Sequence, residues 1–127
     1  MTQAAEVLTR YIEYVGAHDL EHLDDLFSDS VVASTGNGTF DKNEWIAALR
    51  RLLPVLVRND IRTVYVTEPP ASAGACVVYD FVTDTEAGAV TCAEWITLDE
   101  DGRIATVELL FEKAEWAHVI EALRQRG

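Results

Sequence analysis

Between Ala75 and Glu112 the chain is written almost entirely as β-strand. The segments ACVVYDFVTD (Ala75 to Asp84), VTCAEWITL (Val90 to Leu98) and Ile104 to Glu112 are separated only by the short polar turns TEAG (Thr85 to Gly88) and DEDG (Asp99 to Gly102). Connections this short join neighbouring antiparallel strands, so the three segments form a meander. A fourth β-branched run, IRTVYVT (Ile61 to Thr67), precedes them across the loop EPPASAG (Glu68 to Gly74). A sheet made this way has one face to bury, and the rest of the chain must supply the cover.

The cover is helical. Val7, Leu8, Tyr11, Ile12 and Val15 recur at helical spacing, which predicts a first helix from Gln3 to Gly16. Asp19 is positioned to cap a second, shorter helix with the stripe Leu20, Leu23, Leu26 and Phe27. SVVAST (Ser30 to Thr35) reads as a short strand that GNG (Gly36 to Gly38) interrupts. Asp41 and Glu44 have capping-box spacing ahead of a third helix bearing Trp45, Ile46, Leu49 and Leu53, with Pro54 near its end. A last helix carries Trp116, Val119, Ile120 and Leu123. Helices, then an antiparallel meander, then a helix describe an α+β domain in which one bent sheet is covered by helices. Its 127 residues fit a single domain, 1–127, without repeats or internal linkers.

Charge narrows the partners. Ten Lys plus Arg against 22 Asp plus Glu leave a net charge of -12. Such a surface repels nucleic acid and anionic lipid, and it penalises an apolar or neutral small molecule least. No apolar run reaches membrane-spanning length and the first residues lack a signal-peptide pattern, so a soluble, cytoplasmic protein is expected. Cys76 and Cys92 sit inside strand-like runs without metal-ligand spacing and read as small buried hydrophobes. No phosphate loop and no His, Cys or carboxylate cluster is present, so neither a cofactor nor a metal is expected. His18, His22 and His118 have no partner at a telling spacing and read as solvated.

Glu94 breaks the pattern. With DEDG as the loop, Leu98 pairs with Arg103, Glu94 with Val107 and Cys92 with Leu109, so Glu94 shares a face with Ile96, Ala105, Val107, Leu109 and Phe111. The other face carries Trp95, Thr97, Thr106 and Glu108, a mixture suited to solvent or a partner subunit. A slip of one residue would turn Glu94 to solvent and expose Val107, Leu109 and Phe111 with it. On the apolar face, burial raises the carboxyl pKa, and a carboxylate of that kind suits a ligand pocket. Asp80 interrupts its strand in the same way. A three-residue turn pairs it with Glu94; a two- or four-residue turn points it away and brings Tyr79 and Phe81 to the inner face instead. Tyr11 lies on the apolar stripe of the first helix, where an ordinary core tyrosine would also lie.

The chain resembles the ketosteroid isomerases, within the wider nuclear transport factor 2-like and SnoaL-like group. RYIEYVGAHDLEHLDDLFSDSVV (Arg10 to Val32) is similar to their first two helices and first strand, NEWIAALRRLL to their third helix, and LDEDGRIATVELLFE to their last hairpin. The resemblance implies a cone-shaped curved antiparallel sheet with helices closing an internal pocket, often in a homodimer. It implies catalytic roles for Tyr11 and Glu94, as a hydroxyl and a protonated acid that donate to a developing oxyanion. The position of the isomerases' base falls near Thr35, and Leu109 stands where limonene-type epoxide hydrolases place an Asp. Asp80 is the one candidate left for a base. The expected function is a cofactor-free isomerase, cyclase or epoxide hydrolase acting on an apolar polyketide, terpenoid or steroid-like molecule. Phe27, Thr35, Ile96, Val107, Leu109 and Phe111 are expected around that substrate. The alternative is a non-catalytic ligand-binding or protein-interaction module of the same fold.

Overall fold

The apolar stripe of the first segment forms helix α1 over Gln3–Gly16, with Val7, Leu8, Tyr11, Ile12 and Val15 all buried. The computed structural model describes residues 3–67 and 73–126; most of the expected 68–74 loop lies outside them. After α1 come α2 (Leu23–Leu26), β1 (Phe27–Thr35), β2 (Gly38–Phe40), α3 (Lys42–Leu52), β3 (Leu56–Val66), β4 (Gly74–Thr83), β5 (Ala89–Leu98), β6 (Ile104–Phe111) and α4 (Lys113–Arg126). The capping box at α3 is formed: the Asp41 carboxylate accepts from the Glu44 amide, and the Glu44 carboxylate accepts from the Asp41 amide. Asp19 does not cap α2. It accepts from His22 Nδ1 at 2.7 Å, and the residue before α2 is His22 without a side-chain cap. His18 is not simply solvated: its Nε2 lies 2.7 Å from the carbonyl of Leu56.

The six strands form one sheet in the order β2-β1-β6-β5-β4-β3. The meander β3-β4-β5-β6 is antiparallel throughout, and β1 lies parallel to β6. That long-range parallel contact is invisible to local pattern, as is β2, which pairs back on β1 across Gly36 and Asn37. Irregularities in the ladders at Leu56/Arg58, Ile61/Thr63 and Thr97/Leu98 add bend and twist. At the last of these, Thr97 pairs with Thr106 but Leu98 pairs with Ile104. Ala105 is the extra residue, and Ile104 takes the inner position in its place.

The turn is one residue longer than DEDG, with Leu98 opposite Ile104 rather than Arg103, and the bulge adds one more, so the register moves by two and Glu94 pairs with Leu109 and Ile96 with Val107. A shift of two keeps the face. Glu94, Ile96, Val107 and Leu109 all point inward and are buried. Outside, Trp95 is 39% exposed and Leu110 66%, and the Thr97 and Thr106 hydroxyls hydrogen-bond at 2.5 Å. α1 closes one side of the inner face. Gly16 permits its approach, since a Cβ there would stand 2.9 Å from the amide nitrogen of Asn59 on β3. α4 closes another side through Trp116, whose ring sits 5.3 Å from Phe81 and 5.0 Å from Phe111. Among the described residues, no helix is long and apolar enough to cross a membrane.

Candidate active site

Glu94 is 2% exposed at the middle of β5. One strand over, Tyr79 on β4 donates its hydroxyl to Glu94 Oε1 at 2.5 Å, a length typical of a charge-assisted O–H···O bond. Tyr11 reaches the same carboxyl from α1 and favours its ionised form, but its geometry leaves Glu94 Oε2 buried without a hydrogen-bond partner. The Tyr11 oxygen is itself held: Trp45 Nε1 on α3 donates to it at 3.1 Å. Phe27 meets the Tyr11 ring edge-on, with centroids 5.4 Å apart. Two helices and two strands thus fix three polar tips in an apolar interior.

The electrostatics follow from that interior. Burial pushes the Glu94 carboxyl from its ordinary 4.5 up to about 7, against the pull of the Tyr79 hydrogen bond and of the neighbouring Tyr11 hydroxyl. The carboxyl is therefore moved out of the ordinary carboxylate range towards neutrality, where it can both hold and release a proton. Burial first, and then the neighbouring Glu94 charge, hold both Tyr11 and Tyr79 well above the usual phenol range. Both stay protonated and serve as donors. Burial also pushes the Cys92 thiol to about 12 and raises Cys76, so neither is a ready nucleophile.

Two cavities adjoin these groups. A small inner one, about 10 Å³, touches Tyr11, Asn59, Tyr79 and Glu94. That is at the lower limit for a single water. Asn59 donates to the carbonyl of Ile12 at 3.1 Å and leaves its own Oδ1 buried without a partner. A larger cavity of about 690 Å³ opens outside it, between α3, α4 and the ends of β1 and β6. Its lining includes Thr35, Phe40, Trp45, Leu109, Phe111 and Trp116. Leu49, Leu52, Leu109 and Trp116 touch both cavities and form the partition between them.

Tyr11 and Glu94 therefore come together, with Leu109 between them and the outer cavity, where Thr35 and Phe111 lie. Asp80 does not join them. The β4–β5 turn spans Thr83 to Gly88, so Val77 rather than Asp80 stands opposite Glu94 and Asp80 stands opposite Thr91. On the outer face Asp80 pairs with Arg62 Nε at 2.9 Å and accepts from the Thr91 hydroxyl at 2.9 Å. The parity that turns Asp80 out turns Tyr79 and Phe81 in. Phe27, Ile96 and Val107 are fully buried packing residues that touch neither cavity, because neighbouring side chains cover them completely. Asn59 and Trp45 carried no sequence signal for the site: each reaches it by a contact between segments distant in the chain. Among the described residues, no group of three His, Cys, Asp or Glu is arranged to hold a metal.

Neither a known sequence family nor any curated protein matches this chain. Solved structures do. A steroid delta-isomerase from Pseudomonas aeruginosa superimposes with a TM-score of 0.76 at 16% identity, covering 99% of this chain and 92% of its own. An NTF2-like protein of unknown function from Cytophaga hutchinsonii gives 0.72 at 9% identity, over 92% of this chain and 96% of that one. The fold is nuclear transport factor 2-like. A proposed polyketide cyclase from Xanthomonas campestris gives 0.68 at 18% identity, over 92% and 96%. Identities this low carry the fold and not the reaction.

Proposed function

We propose that this nuclear transport factor 2-like chain is a cofactor-free enzyme that moves a proton on an apolar small molecule, in the isomerase, cyclase or epoxide hydrolase range. The observation that carries the reading is Glu94: a carboxyl buried in an apolar interior that raises its pKa towards neutrality, with one oxygen fixed by Tyr79 and the other unpartnered. Acid–base catalysis is most effective when the group's pKa lies near the working pH. With Asp80 turned out and Thr35 unable to act as a base, Glu94 is the one carboxylate beside either cavity among the described residues. In this scheme ionised Glu94 takes a proton from a carbon acid, and the Tyr11 hydroxyl donates to the oxyanion that develops. The carboxyl then returns the proton at a second carbon, so the net change is an isomerisation.

A cyclic β,γ-unsaturated ketone in D₂O is a direct probe of this chemistry, followed by NMR for deuterium uptake and formation of the conjugated enone. Glu94→Gln should lower the rate by at least about 100-fold. Equal rates in wild type and Glu94→Gln would remove Glu94 from the reaction. One feature favours a second reading, a non-catalytic ligand-binding module: Leu49, Leu52, Leu109 and Trp116 stand between the outer cavity and Glu94. Tight probe binding with no exchange above solvent background would support that reading.

A further inference from the structure

The outer cavity has an unusual charge for this protein. Acidic residues outnumber basic ones 22 to 10 over the chain, yet the cavity is lined by Arg51, Arg124 and Arg126 and, among the described residues, by no Asp or Glu. The rest of its lining is mainly apolar, ending at Leu109 and Trp116 on the inner side. The three arginines are not equivalent. Arg126 is committed to Asp84 at 2.7 Å and to the carbonyl of Pro54 at 2.9 Å. Arg124 is paired with Glu121, one turn away on α4. Arg51, on the last turn of α3, has no ion pair among the described residues. It is exposed to solvent as well as lining the cavity.

We propose that the ligand of this cavity is an amphiphilic carboxylate, seated with its apolar body towards Leu109 and Trp116 and its carboxylate on Arg51. This rests on the reading of the cavity as the substrate's seat and names the class of substrate. A guanidinium offers two parallel N–H donors that match a carboxylate's two oxygens. The head group stays at the rim, where it keeps part of its hydration, while the chain or ring system fills a space of about 690 Å³, in the usual range for small-molecule sites. The arrangement also gives the reaction a direction. With one end anchored at the rim, the far end is the part presented to the partition in front of Glu94.

Three ten-carbon probes test this: decanoate, methyl decanoate and decylammonium, all below their aggregation limits. Binding is read by titration calorimetry and by the fluorescence of Trp45 and Trp116, which line the cavity. A net charge of -12 acting alone favours the cation and disfavours the anion. The proposal requires the reverse order: decanoate tightest, the ester next, the ammonium weakest. Arg51→Gln should weaken decanoate by about fivefold, the upper range for one exposed charge pair, and leave the ester unchanged. Added salt should reduce the decanoate preference in wild type. If the ester binds but decanoate shows no preference, or if Arg51→Gln leaves decanoate unmoved, the carboxylate assignment is wrong and the apolar seat stands. If none of the three probes binds, the apolar seat falls with it.

Discussion

Glu94→Gln turns the position of one carboxyl into a measurable change in folding free energy. In the unfolded chain Glu94 titrates near 4.5; in the folded protein it titrates near 7 because burial disfavours its charged form. The folded state therefore prefers the protonated acid. Below pH 4.5 both states hold the proton and Glu94 imposes no penalty. Between 4.5 and 7 the unfolded chain releases its proton more readily, and stability falls at about 1.4 kcal/mol per pH unit. Above 7 the full penalty is about 3 kcal/mol, on the order of a quarter to a half of a typical domain's stability. Gln keeps the acceptor for Tyr79 and cannot ionise. It puts an NH₂ where Oε2 has no partner, at a cost of about 1 kcal/mol. The variant should then be slightly less stable than wild type at pH 4.5 and about 2 kcal/mol more stable at pH 8, with the curves crossing near pH 5 to 6. Urea unfolding of both proteins at a series of pH values gives the answer. Taking the difference between them removes most of the general repulsion of a chain this acidic. Parallel curves across pH 4.5 to 8 would mean that Glu94 titrates alike in the folded and unfolded states, and the burial argument would be refuted.

Other outcomes follow from the same geometry. Leu109→Ala should cost about 2–4 kcal/mol and join the two cavities, making the exchange of a probe ketone faster per folded molecule. An unchanged exchange rate would show that Leu109 does not restrict access to Glu94. Tyr11→Phe should lower stability by about 1–3 kcal/mol, because it strands the buried Trp45 Nε1–H, and Tyr11→Phe combined with Trp45→Phe should recover part of that loss in urea melts. Asp80→Asn should leave probe turnover as in wild type and shift stability by less than about 1 kcal/mol, since its ion pair with Arg62 lies on the outer face. Sedimentation at micromolar concentration should give about twice the chain mass for wild type, through the outer face around Trp95, and a monomer for Trp95→Glu; a monomeric wild type removes the dimer.

Which parts of this were legible in the sequence depended on whether a period or a count was at stake. The face of Glu94 was legible because alternation along a strand survives an error of two in the register, and a turn one residue longer than DEDG together with the one-residue bulge at Ala105 shifted the pairing by that much. Helix α1 and the α3 capping box were legible because both are local patterns in the chain. Asp80 was not, because its direction depended on the parity of a turn. The side chain of Thr83, bonded at 2.6 Å to the carbonyl of Gly88, closes that turn in a way no composition rule specifies. The inward direction of Tyr79 follows from the same parity, so the donor to Glu94 became visible only with the fold. The parallel pairing of β1 with β6, the Asn59 contact to α1 and the arginines around the outer cavity all join segments far apart in the chain.

That parallel pairing also sets the order in which the molecule can be finished. Residues 27–35 find their central neighbour only when residues 104–111 are in place, so the first strand waits for the last. Contacts of such long sequence separation slow folding, because the intervening chain must be ordered before they form. A ribosome-bound chain that has not reached Ile104 presents two strand edges beyond those of the finished sheet, one on β1 and one on β5, each ready to pair with another chain. β6 also brings Leu109 opposite Glu94, so the carboxyl is sealed off from water in the same late step.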